Sequence, residues 1–95
     1  MTTAQPSHAT HEPALNGAAW RFTPGDQRHD PDWQLVDARG VELGLGIQDC
    51  TDYAPMFLVY RFDKRGVRPV APVALLDEAK AFAVALLERG AAVLQ

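Results

Sequence analysis

The chain reads as an α+β domain, an antiparallel sheet of four or five strands with one C-terminal helix packed on a face, and three observations predict it. Val41 to Gln48 sets Val41, Leu43, Leu45 and Ile47 against Glu42, Gly44, Gly46 and Gln48, the period-two pattern of a half-buried strand. Met56 to Phe62 is apolar on both sides and rich in aromatic and β-branched residues, as expected of a strand at the centre of a sheet. Leu75 to Arg89 carries Leu75, Leu76, Ala79, Phe82, Ala83, Leu86 and Leu87 within one stripe at 3.6 residues per turn. Runs of strands followed by a helix, joined by short turns, fold as one sheet with the helix across it.

Taken in order, residues 1–15 lack periodicity and are rich in Thr, Ala, Pro and His, so they are expected to form a mobile tail ahead of a single domain at 16–95. His8 and His11 lie in this tail between Pro6 and Pro13, and two histidines without a third ligand do not make a metal site. Ala18 to Thr23 forms a first strand carrying Trp20 and Phe22, ended by Pro24-Gly25-Asp26. A polar loop precedes the second strand, Trp33 to Asp37. Asp37-Ala38-Arg39-Gly40 then turns the chain into the third, with Gly40 placed for a left-handed backbone.

Gly44 and Gly46 leave the outer face of that third strand bare, and a large side chain such as Trp33 or Trp20 is expected to cover the gap. A docking patch for a partner is the other reading of the same gap. After the Met56–Phe62 strand, Asp63 to Gly66 reverses the chain into Val67 to Pro72, which Pro69 and Pro72 confine to a sheet edge. On the helix, Asp77 and Glu78 at the start and Arg89 at the end complement the macrodipole, and Gly90 reads as its stop. Val84 falls on the outer face, where it reads either as a contact for a second copy of the chain in a homodimer or as the isolated exposed apolar residue common on protein surfaces. Ala91 to Gln95 reads as a short terminal strand or hook.

Ninety-five residues, 47% of them hydrophobic and 22% charged, fit one small core. The net charge of −3 is unevenly spread. Residues 1–55 hold three basic residues against eight acids, and residues 56–95 hold six against four. One cysteine, Cys50, forms no intrachain disulfide and suits a reducing compartment; with no signal-like or membrane-length apolar run, a cytoplasmic protein is expected.

No motif of catalysis stands out, and no enzyme activity, metal or cofactor is expected. Cys50 beside acids is poorly placed to form a thiolate. Gly44-Leu45-Gly46 lacks both the third glycine and the following helix of a phosphate loop. The expected function is non-enzymatic protein binding, as a small inhibitor or adaptor of the phage or plasmid type, through an acidic–aromatic surface of Asp30, Asp32, Trp33, Asp49, Asp52 and Tyr53. Aromatics anchor and charges steer at such interfaces, so the expected partner is a protein with a basic surface. The alternative is a nucleic-acid-binding hairpin in which Arg61, Lys64, Arg65 and Arg68 track phosphates. A sheet followed by one packing helix resembles, in layout, the small arm-binding domains of phage integrases, which implies that same use of the sheet. A membrane partner is not expected.

Overall fold

The computed structural model describes residues 11–14 and 17–94, and the fold is the α+β arrangement expected. A six-stranded, wholly antiparallel sheet follows chain order: β1 (His11–Pro13), β2 (Ala19–Thr23), β3 (Asp32–Val36), β4 (Glu42–Asp49), β5 (Phe57–Asp63) and β6 (Gly66–Val73). One helix, α1 (Leu76–Leu94), closes the chain and packs on β4, β5 and β6. Five strands make up the body of the sheet. The sixth, β1, is a three-residue addition that pairs His11 with Arg21 and Pro13 with Ala19, so this part of the expected tail is in the sheet. Ala14 packs against the core, and residues 1–10, with His8, and residue 15 lie outside the described residues.

The core forms where apolar residues recur in every second position and meet α1. Trp20, Leu35, Leu45, Ile47 and Val59 are buried on one face of the sheet, against Ala79 and Ala83 of the helix. Each buried Leu, Ile or Val contributes about 1.5–3 kcal/mol by leaving water. The two alanines let the helix backbone approach the sheet closely. An aromatic row of Phe22, Trp33 and Phe57 continues this layer, with ring centroids 4.8 and 6.3 Å apart, and the Lys80 ammonium lies 5.8 Å from the Trp33 ring centroid.

Four expectations are corrected. β5 is flanked on both sides, and Val59 and Tyr60 are both buried, but it is the second strand from the edge; β3 and β4 form the centre. The buried face of α1 keeps Leu76, Ala79, Ala83, Leu86 and Leu87 of the sequence stripe and departs from it at three positions. Val84 is half-buried and packs against the core, while Leu75 is 58% and Phe82 37% exposed. The stripe was broad enough to permit either rotation, and the small Ala79 and Ala83 decided it by fitting closest to the sheet. Val84 is therefore not the outer-face residue expected. Finally, α1 runs through Gly90 to Leu94 in place of a terminal strand or hook, since Ala91, Ala92 and Leu94 favour helix and one glycine costs only about 1 kcal/mol.

The two tight turns follow the sequence closely. Gly40 (φ 84°) donates its N–H to the Asp37 carbonyl at 2.9 Å, and Gly66 (φ 124°) ends the Asp63–Gly66 turn; both are backbone states that side chains other than glycine resist. β6 forms one sheet edge. Pro69 and Pro72 deprive it of two donors, and a register shift opposite Val59 and Tyr60 bends it, which blunts the edge against further strand pairing.

Candidate functional site

The face of the sheet not covered by α1 is polar, and its floor is built by register. Asp32 pairs directly with Gln48, and Gln34 with Gly46, which in turn pairs with Tyr60. Directly opposed residues share a face, so Asp32, Gln34, Gln48 and Tyr60 stand together away from the helix. With Thr23 and the loop residues Arg28, His29 and Asp30 they line an open cavity of about 450 Å³.

Gly46 is the reason this floor exists. A Cβ at position 46 would fall on the Tyr60 ring, so the glycine lets Tyr60 lie across the strand. The gap is therefore covered by Tyr60, not by Trp20 or Trp33, which both face the helix. Tyr60 is only 7% exposed, and its hydroxyl donates to Asp32 Oδ2 at 2.7 Å. Burial, and then the Asp32 carboxylate, push its pKa well above the ordinary tyrosine value. Gly44 serves a different end. Its φ of 82° makes the irregularity where β3 and β4 lose register, and its backbone lies against the Phe62 carbonyl.

At one end of the strands, two loops are tied to this floor. Tyr53 donates its hydroxyl to Asp30 Oδ2 at 2.5 Å, and Gln48 Nε2 donates to the same oxygen at 2.7 Å. These hydrogen bonds, Tyr53 first, hold the Asp30 carboxyl below its usual range; Asp30 in turn pushes the Tyr53 pKa up. Asp26 folds its own loop by accepting from the backbone N–H groups of Arg28 and His29, which lowers its pKa as well. Gly25 allows Pro31 to pack against that loop, and the Asp49 N–H donates to the Pro31 carbonyl. The Tyr53 ring remains 66% exposed although its hydroxyl is fixed.

The six residues expected to form the acidic–aromatic surface therefore divide. Asp30 and Tyr53 are in direct contact, and Asp32 lines the same cavity. Asp49 and Asp52 lie at the same end, where Asp49 Oδ1 accepts from the Thr51 N–H and shapes the turn. Trp33 does not belong. It neighbours Asp32 in a strand, and successive side chains point to opposite faces, so it joins Phe22 and Phe57 under the helix. Tyr60 and Gln48 were missed as site residues. The signal for Tyr60 was a bare glycine in one strand and an aromatic in the next, which only the register could pair.

The four basic residues come together at the other end, on the β5–β6 hairpin. Arg61 is directly opposite Arg68, and Lys64 and Arg65 form the turn. All four are exposed, and Arg68 is paired to Asp63 at 3.1 Å.

Among the described residues, no group of three or more His, Cys, Asp or Glu is arranged to hold a metal ion, and no helix is long and apolar enough to cross a membrane. No family model, curated protein or solved structure matches the chain. The fold and site thus define a small sheet-and-helix domain with one polar sheet face, acidic loops at one end and a basic hairpin at the other.

Proposed function

We propose that the protein is a non-catalytic protein-binding module, an inhibitor or adaptor, whose acidic loop end meets a basic surface on another protein. The observation that carries this reading is Tyr53, a largely exposed ring whose hydroxyl is already fixed by Asp30 and Gln48. An aromatic held in place before binding loses little side-chain entropy on association, which is the property of an anchor residue. Around it, Asp26, Asp30, Asp32, Asp49 and Asp52 supply negative charge that speeds encounter with a cationic partner. The buried thiol of Cys50 suits a reducing, cytoplasmic setting.

The test is affinity capture from the native host with wild type, Tyr53→Ala and Asp30→Asn as bait. A stoichiometric partner with a basic surface, retained by wild type and lost with Tyr53→Ala, supports the reading. Equal recovery with all three baits, or release that is insensitive to salt, overturns it.

A further inference from the structure

The β5–β6 hairpin ends in a two-stranded ribbon. The ladder between β4 and β5 ends at Leu45–Arg61, with Gly44 still against the Phe62 carbonyl, so the hairpin stands free of β4 from Asp63–Gly66 to its tip. Its eight residues from Arg61 to Arg68 hold four cations against one acid, in a chain whose net charge is −3. Arg61 and Arg68 are directly opposed, a like-charge placement that costs a sheet stability. Asp63 offsets Arg68, but among the described residues no ion pair offsets Arg61, Lys64 or Arg65. The reverse side carries Phe62 and Val67, with Phe62 against Tyr60 at 5.9 Å between ring centroids. One face of the ribbon is thus braced by aromatic contact with the sheet, and the other collects positive charge.

We propose that this ribbon is a second binding surface, and that its partner is duplex nucleic acid. A two-stranded β-ribbon fits a major groove about 12 Å wide. The opposed pair Arg61 and Arg68 faces the duplex, and Lys64 and Arg65 at the turn reach flanking phosphates. The loops that carry Asp26, Asp30, Asp49 and Asp52 lie at the far end of the strands, roughly 20 Å away along β5 at about 3.3 Å per residue, which exceeds a physiological screening length of about 8 Å. Asp37 and Glu42 lie at the ribbon's own end, where Glu42 is paired with Arg21. Repulsion from the acidic end is therefore weak at the ribbon, and it orients the molecule ribbon-first. The site uses none of the residues assigned to the protein partner.

The experiment is fluorescence anisotropy of the full chain with a labelled mixed-sequence DNA duplex over a salt series. Four phosphate contacts predict a slope of log K against log salt of about −3.6, and a loss of affinity on the order of 100-fold between 50 and 200 mM salt. Lys64→Glu/Arg65→Glu is expected to weaken binding by more than tenfold, with an unchanged circular dichroism spectrum because both residues are exposed turn positions. Asp52→Asn is expected to leave it within twofold. Absence of binding at low salt overturns the proposal. So does binding that survives the double substitution, or equal affinity for polyglutamate, which would reveal indifferent attraction to any polyanion. A failure here leaves the Tyr53 reading untouched, since its variants and its readout are separate.

Discussion

The two ends of this sheet solve the problem of exposed charge in opposite ways. At the loop end, carboxylates are consumed in local structure: Asp26 binds two backbone N–H groups, Asp30 binds Tyr53 and Gln48, Asp32 binds Tyr60 and Asp49 caps its turn. In the β5–β6 hairpin, like charges stand opposed, and one acid serves four cations. Negative charge at the first end therefore holds a surface in shape as well as charging it. Positive charge in the β5–β6 hairpin makes a single ion pair, Arg68 with Asp63, among the described residues.

That contrast is most strongly tested at Gly46. Gly46→Ala places a Cβ on the Tyr60 ring and displaces the hydroxyl from Asp32, with an expected cost of about 1–3 kcal/mol in denaturant unfolding. Tyr60 touches both Asp32 and Phe62, so amide resonances of the floor and of the ribbon should both shift while those of 50–54 keep their positions; a disturbance that spreads equally to 50–54 would show that the ends are not independent. Tyr60→Phe isolates the hydrogen bond from the ring. It should cost about 1–3 kcal/mol as a neutral donor to a buried-side carboxylate, measured in the same way.

Smaller in effect, and opposite in sign, is Arg61→Glu. It converts the opposed pair Arg61–Arg68 into one of unlike charge, and should raise stability by about 0.2–1 kcal/mol while weakening duplex binding. A loss of stability instead would mean that Arg61 serves the fold. Lys64→Glu/Arg65→Glu should leave unfolding midpoints nearly unchanged, within about 0.5 kcal/mol.

The pH response separates the ends as well. Asp30 has a lowered pKa in the folded chain, so its contribution is complete above the ordinary carboxylate value of 3.8 and disappears as pH falls through the folded value. Tyr60 has a raised pKa, so its contribution is complete below the ordinary value of 10.0 and is lost as pH rises through the folded one. Both limbs act on the loop end and the open face. Amide protection factors across 50–54 should therefore fall in acid before those of the 61–68 ribbon, and the reverse order would contradict the comparison.

Periodicity, turn residues and proline placement were enough to determine β2 to β6 to within one or two residues at their ends, both glycine turns, the edge position of β6 and the presence of a helix on one face, but not β1, which falls within the residues read as a tail. These are local consequences of backbone sterics and of burying one side of each element. The same alternation could have excluded Trp33 from the acidic surface, because a residue next to Asp32 in a strand must face the other way. What only the tertiary structure decided was register and rotation: that Tyr60 lies on Gly46 and binds Asp32, that Tyr53 closes onto Asp30 across 23 residues, and that Val84 packs on the core while Phe82 turns to solvent. Such pairings join residues far apart in the chain, and their energies depend on which strand lies beside which, a quantity that no local pattern of residues contains.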